Sequence, residues 1–359
     1  MTVSPPGVDP AAERARVLID AGRLEEAKGV LQTALAQEPD DGGKWCLFAL
    51  CMVRLDQYDE ALEAAGRAAA LEPAEEWPHR LASIALCGKK DYPRAVTAAR
   101  ESVRRESDLW QTHAQLALAL HELRDRSSLD EAWQAASYAV SLAPEEAETH
   151  FVMGVIAQER RQHDVAEQAY EKVLALDPGH AAAMNNLGLV QLRRGKIHAA
   201  AEGFTSSLRS DPRLEVARSN VESVGWRLMT FGYYIAFAGF WILRLLLGGE
   251  TEEGMPFVFR AGFGVVLLAV WTVLGVRMVG RLPTAARQYL FGMPRRSLGF
   301  GVMTFGIAGC VLGSMFAAFT PPALAFYGLV VAGCAIFLSF VTSWVVTVGA
   351  WRRRKKEAS

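Results

Sequence analysis

Residues 147–180, AETHFVMGVIAQERRQHDVAEQAYEKVLALDPGH, place apolar side chains at helical spacing on two successive stretches. Val165, Tyr170, Val173 and Leu174 mark the second stretch, and the pattern predicts two amphipathic helices joined by a short turn. Residues 181–214 repeat it without a gap. Gly188 matches Gly154, Ala200 matches Ala166, Phe204 matches Tyr170 and Pro212 matches Pro178, each 34 residues on. A fixed period of this length decides the fold before any local motif does.

The period runs backwards through the first half of the chain. Blocks begin at Val8, Gly42, Glu76, Trp110, Ala147 and Ala181. The eighth position holds Ala15, Ala49, Ser83, Ala117, Gly154 and Gly188; the twentieth is alanine throughout, at Ala27, Ala61, Ala95, Ala132, Ala166 and Ala200. Small residues at these two places let paired helix backbones approach. Pro39, Pro73, Pro144, Pro178 and Pro212 close their blocks, because proline cannot continue a helix. In the block from Trp110 the second helix is displaced by three residues, within HELRDRSSLDEA. Ser128 and Glu131 there have the spacing of a capping box.

These positions, held in phase over residues 8–214, resemble the tetratricopeptide repeat family. Trp45 supplies that family's fourth-position tryptophan once; His79, His113, His150 and Met184 stand there elsewhere. The resemblance implies a right-handed superhelix of helix pairs whose first helices line a concave groove. Carried onto the matching positions, it gives Leu50, Val53, Ile84, Cys87, Leu118, His121, Phe151, Val155, Leu189 and Leu192 as groove residues. The set is mostly apolar. Relatives that clamp a C-terminal carboxylate use Lys, Asn and Arg instead, and Arg80, Asn185 and Asn186 do not make that pattern. The expected partner is therefore a helix or extended peptide held by hydrophobic contact.

The remainder of the chain changes character. Residues 215–227 continue at helical spacing, with Val216, Val221 and Val224 leading to Leu228, and are expected to cap the last repeat and lead onward. Four apolar runs follow, at about 228–248, 256–280, 298–320 and 322–350, each long enough to cross a hydrocarbon core of about 30 Å. Arg244 and Arg260 lie near run ends, from which arginine can snorkel. Trp226, Tyr233 and Trp351 stand where an aromatic belt would. Gly299, Gly306 and Gly313 share a helix face, and Gly309 with Gly313 forms a GxxxG. The expected fold is thus all-α: about six helix-turn-helix repeats in an α-solenoid, then a four-helix transmembrane region across 228–350, with 1–7 disordered and 351–359 a basic tail.

Charge supports that division. Residues 1–227 hold 26 Lys and Arg against 35 Asp and Glu, while residues 228–359 hold 12 against 4. The acidic half lacks the basic face that nucleic acid requires. The connection with Arg277, Arg281, Arg287, Arg295 and Arg296, and the tail with Arg352, Arg353, Arg354, Lys355 and Lys356, read as cytoplasmic by the positive-inside rule. Both termini then face the cytoplasm, with 249–255 and 320–322 outside. MTVSPPGVDP has neither the basic start nor the apolar core of a signal peptide. The five cysteines, without a CxxC, read as free thiols.

Catalytic motifs are missing. His121-Glu122 opens like HExxH, but Asp125 stands where the second histidine belongs; Gly195-Lys196 is like a phosphate loop, but Val190 and Ile197 break it. His79, His113 and His150 share a register on successive helices, too far apart to converge on one ion. No enzyme, cofactor or metal is expected. The expectation is a multi-pass scaffold in a bacterial plasma membrane, binding a cytoplasmic protein helix or peptide and contacting membrane lipid. The alternative is a regulatory or assembly subunit of a membrane transporter or channel, with a membrane-protein partner.

Overall fold

A computed structural model of the chain describes residues 9–247, 256–296, 298–320, 324, 327–335 and 337–338. Every regular element among them is helical. Two compact units divide the chain, Met1–Val190 and Gln191–Ser359.

The first unit is a stack of helix pairs, one pair per sequence block: α1 (Pro10–Asp20) with α2 (Leu24–Gln37), α3 (Gly42–Arg54) with α4 (Tyr58–Leu71), α5 (Trp77–Gly88) with α6 (Tyr92–Arg105), α7 (Trp110–Glu122) with α8 (Leu129–Leu142), and α9 (Ala147–Glu159) with α10 (His163–Leu176). Helix α11 (Ala181–Arg193) opens the sixth block. From α1 to α9 each first helix packs on the next first helix, and from α2 to α8 each second helix packs on the first helix of the following pair. Second helices make no comparable contact with one another among the described residues. First helices therefore lie closer together, and their row forms the inner face.

The small positions do what their size dictates. All five twentieth-position alanines of this unit are buried. Ala15, Ala49, Ser83 and Ala117 are fully buried opposite them. A Cβ on Gly154 would stand 2.6 Å from Cε1 of Tyr170, whose ring is itself fully buried. Glycine at this one site makes room for a large aromatic on the partner helix.

The turn inside each pair is a repeated left-handed residue: Gly22, Asp56, Lys90, Arg124, Arg161 and Gly195, with φ between 54° and 76°. All six sit at the fifteenth position of their blocks. In the first unit the residue after it closes the helix by donating back, as Arg23 N–H does to Leu18 O, Gln57 to Met52, Asp91 to Leu86 and Gln162 to Ala157. This is the Schellman closure, in which a left-handed residue lets the chain satisfy the last carbonyls.

The three-residue insertion replaces that closure. Residues Arg126–Ser128 form one turn of 3₁₀ helix. The Ser128 hydroxyl donates to Leu120 O (3.2 Å) and Asp125 O (2.7 Å), so a side chain takes the part of the usual N–H. The capping box does not form: Ser128 makes no side-chain cap to α8, and Glu131 pairs with Arg100 of α6.

Three of the fourth-position residues share one chemistry. Trp45 Nε1–H donates to Pro39 O at 2.7 Å, His113 Nε2 lies 2.8 Å from Ser107 O, and His150 Nε2 lies 2.8 Å from Pro144 O. Each ring nitrogen reaches the carbonyl six residues earlier, so tryptophan and histidine are interchangeable as ring donors that fasten a first helix to the preceding turn.

The second unit contains α12 (Ile197–Ser210), α13 (Glu215–Leu247), α14 (Phe257–Gly280), α15 (Thr284–Arg296) and α16 (Leu298–Phe319). Helix α13 is continuous over 33 residues, about 50 Å at 1.5 Å per residue. Its first part packs on α12 through Ala217, Val221 and Val224. Val216 is exposed, so Ala217 holds the place on the buried face that the sequence pattern gives to Val216. The basic connection is a helix, α15, rather than a loop. Tyr289 Oη donates to Glu222 Oε1 of α13 at 3.0 Å, and Arg287 Nε donates to Leu282 O.

Helices α13, α14 and α16 pack together, with 327–335 against α16. The GxxxG seam is internal to the chain: a Cβ on Gly313 would stand 2.6 Å from Gly328 O, and one on Gly309 would stand 3.2 Å from Ala335 Cβ. Among the described residues one helix, Gly301–Phe319, is long and apolar enough to cross a membrane; Ala261–Arg277 is apolar but shorter. One span thus stands where four were expected. Arg260 and Arg277 bound the apolar part of α14, and Arg244 interrupts the apolar part of α13. The side chains of Arg244 and Arg260, residues 249–255, Pro321, Pro322, most of the run 322–350, Trp351 and the basic tail lie outside the described residues.

Candidate partner-binding groove

The inner face is built from the ninth and twelfth positions of the first helices. Within α3, Cys46, Leu47, Ala49, Cys51 and Met52 turn into the core. Leu50 and Val53 stay half-buried on the remaining face. The same phase recurs in α5 and α9, where Ala85 and Ile156 are buried beside half-buried Ile84 and Val155. The ninth-position row reads Leu50, Ile84, Leu118, Val155 and Leu189. Every member is aliphatic and every member is half-buried. Helical geometry cannot bury it: the seams already consume the flanking positions.

Members of the row differ in how far they also serve the core. Leu50, Val53, Cys87 and Leu118 pack against buried clusters of the first four repeats. Phe151 packs against the fifth-repeat core and stacks on His180 at 4.9 Å between ring centroids. Ile84, Val155 and Leu189 belong to none of these clusters among the described residues. Leu192, expected in the groove, is buried at 5% exposure and is a packing residue.

The twelfth-position row changes character along the stack. Val53 and Cys87 give way to His121 and then to Gln158, which sequence reasoning passed over in favour of Phe151. His121 Nδ1 and Gln158 Oε1 are both buried without a hydrogen-bond partner. Their common register was the available signal. The Cys87 thiol is pushed up to about 11, first by burial and then by Glu122, so it stays protonated at neutral pH. Arg80 is engaged elsewhere: it pairs with buried Glu76 at 2.9 Å, and Glu76 also accepts from Ser102 Oγ. Asn185 is buried and donates to Asn186 Oδ1 at 3.3 Å. None of the three offers a carboxylate clamp.

Two further features lie away from this row. An outer hollow of about 390 Å³ opens between α2, α3 and α4, floored by Trp45, Phe48 and Leu35. Arg67 lies over the Trp45 ring at 4.7 Å and pairs with Glu63, so the hollow already holds its own cation. Asp9, Glu38 and Asp41 are the one acidic trio with metal-ligand spacing among the described residues. The ammonium of buried Lys44 occupies their centre, 2.6 Å from Asp9 and also bonded to Glu38. The turn residues that resemble catalytic motifs are structural: Gly195 is a left-handed turn residue, and Asp125 caps the 3₁₀ turn through Ser127 N–H.

The sequence profile described as tetratricopeptide repeat matches residues 13–80 and 151–214. The solenoid belongs to the tetratricopeptide repeat family. The intervening blocks, including the one with the insertion, form the same helix pairs. Among solved structures, the Cut9–Hcn1 hetero-tetramer of the APC/C is similar with a TM-score of 0.54 and 17% identity, over 60% of this chain and 42% of that one. TTC0263, a thermophilic tetratricopeptide repeat protein of Thermus thermophilus, has a TM-score of 0.47 and 19% identity, over 51% of this chain and 98% of that one. YrrB, described as having an unusual peptide-binding site, has a TM-score of 0.38 and 20% identity, over 53% of this chain and 96% of that one. At these identities the likeness concerns the fold. A comparison with curated proteins gives no match.

Proposed function

We propose that this chain is a membrane-anchored interaction scaffold whose tetratricopeptide repeats hold a protein helix or extended peptide against the row of first helices. The observation that carries this reading is the ninth-position row. Five successive repeats leave an aliphatic side chain half-exposed at one register, and a row of that kind favours a hydrophobic partner. Among the described residues no catalytic constellation accompanies it, and the reading is of a non-enzymatic scaffold.

The membrane part of the proposal rests on the second unit. Helix α13 exposes Phe231, Tyr234, Phe237, Trp241 and Leu245 along one side, α14 exposes Val258, Val265 and Val273, and α16 exposes Phe305, Leu312 and Phe316. Side chains such as Leu245 and Phe305, 80% and 78% exposed, favour hydrocarbon over water at about 25 cal/mol per Å². We read Gly301–Phe319 of α16, the helix long and apolar enough to cross a membrane among the described residues, as the anchor, with the basic α15 on the cytoplasmic side. The aromatic side of α13 favours a second reading, an assembly subunit that contacts another membrane protein, because aromatic residues are enriched at interfaces.

Substitution of Ile84, Val155 and Leu189 by Asp tests the groove. Leu118 is left intact because it packs on the core. The triple variant is expected to keep its helicity and melting temperature while losing at least tenfold in affinity for the partner that wild type binds. Wild-type binding itself should change little between low and high salt. A folded variant that binds as wild type does would place the partner on another face.

A further inference from the structure

The second unit contains an apolar cavity of about 220 Å³ between α13, α14 and α16. Leu228, Gly232 and Ile235 line it from α13, Trp271 and Gly275 from α14, and Ile307 from α16. It is larger than the engineered cavity of about 150 Å³ that stays dry and takes up benzene. Two glycines open it. A Cβ on Gly275 would meet nothing within 4 Å. One polar group belongs to the lining: the indole N–H of Trp271 is buried and has no hydrogen-bond partner. Tryptophan offers one donor and no acceptor, and a buried indole N–H ordinarily finds an acceptor.

We propose that this cavity is a binding site for a lipid-soluble carbonyl compound, whose oxygen accepts from Trp271 Nε1–H while its apolar body fills the space beside Gly275. The lining dictates that chemistry. A charged ligand, or one with several polar groups, would leave those groups without partners in an apolar wall. A pure hydrocarbon would leave the indole donor unsatisfied. A single carbonyl on an apolar body meets both conditions. Two classes of membrane molecule can present one carbonyl to this donor while their other polar groups stay outside the apolar wall: a lipid inserting an acyl ester and a quinone inserting one edge of its ring. Taking the ligand from a membrane rests on the membrane reading above; the cavity and its donor do not depend on it. The site lies toward one end of the bundle, since Trp271 is about 13 Å from the end of α14 at Gly280.

The test uses the full chain, delipidated in mild detergent and titrated separately with a diacyl phosphatidylglycerol and with a decyl-substituted benzoquinone. Native mass spectrometry reads stoichiometry and affinity. A saturable one-to-one adduct with one of the two is expected and identifies the source. Trp271→Phe keeps a ring but removes the donor, and should weaken the adduct about tenfold. Gly275→Leu fills the cavity and should abolish it, with circular dichroism and elution volume unchanged. Should Gly275→Leu misfold, the Trp271→Phe comparison decides alone. The proposal is overturned by the absence of an adduct with either probe, or by adducts that persist at wild-type affinity in the folded variants. Release of the protein from native membranes by alkaline carbonate would refute the membrane reading separately, because binding is measured on purified protein.

Discussion

Arg161 occupies a left-handed turn position at φ 60°, as do Asp56, Lys90 and Arg124, although glycine is the residue that adopts this conformation without strain. The turn is imposed by the Schellman closure that the packing of each pair requires. Relief of that strain exceeds the extra unfolded-state entropy of glycine, so Arg161→Gly is expected to stabilise the solenoid by about 0.5 kcal/mol, read as a rise in Tm. Gly154→Ala should do the opposite. Its methyl would meet the Tyr170 ring, and the overpacking costs about 1–3 kcal/mol, more than the helix propensity gained. Burial holds the His79 imidazole below its ordinary value of 6.5. Above that pH both states are neutral there and stability is full. As pH falls, the unfolded chain binds a proton first, so stability declines toward the lower folded value. His79→Gln should flatten that decline in a pH series of melts. The alanines and glycines of the seams were legible in the sequence because sterics admit nothing larger. The left-handed arginines and lysine were not, since no side chain announces a turn that tertiary packing imposes.

Among elements, the fourth repeat shows how a solenoid absorbs an insertion. Three extra residues remove the backbone closure, and the Ser128 hydroxyl bonds Leu120 O instead. Ser128→Ala leaves that carbonyl without its side-chain donor, at a cost of about 1–3 kcal/mol. Because repeats are coupled mainly to neighbours, hydrogen exchange should quicken in α8 and the end of α7 while α1–α4 keep wild-type protection. Uniform quickening would mean that the repeats melt as one unit. The S-x-x-E spacing pointed to the start of α8 correctly but to the wrong bonds, because Arg100 captures Glu131. The arginines of the basic connection were read for sidedness alone, and the helix α15 within it was not foreseen. Charge composition reports which side of an interface a segment favours, not whether its backbone is helical. In α13 the helix over 215–227 was legible from the spacing of Val216, Val221 and Val224, but the sequence divided it from the run at 228–248, whereas the helix continues from Glu215 to Leu247.

For the whole molecule, an acidic first part and a basic, apolar remainder were plain in the sequence, with 26 Lys and Arg against 35 Asp and Glu up to residue 227 and 12 against 4 beyond it, although the two compact units divide earlier, after Val190. The number of membrane spans was less legible. Hydropathy counts residues, whereas a helix crosses a bilayer only if its charges clear the hydrocarbon, and arginines break two of the runs. The inner row was legible through its register, although the partition between groove and core was not: Leu118, in register with Ile84 and Val155, also packs on the core, and Leu192, in register with Val53 and Cys87, is buried. The central claim is that the row of first helices holds a polypeptide. Its most direct test is a photoreactive amino acid placed singly at Ile84 or Val155 on the inner row, and at Leu71 or Tyr138 on exposed faces of the second helices α4 and α8, in the intact protein in its native cells. Irradiation should join a polypeptide to the inner positions and leave the outer ones bare. Adducts confined to Leu71 and Tyr138, with none at Ile84 or Val155, would contradict the account.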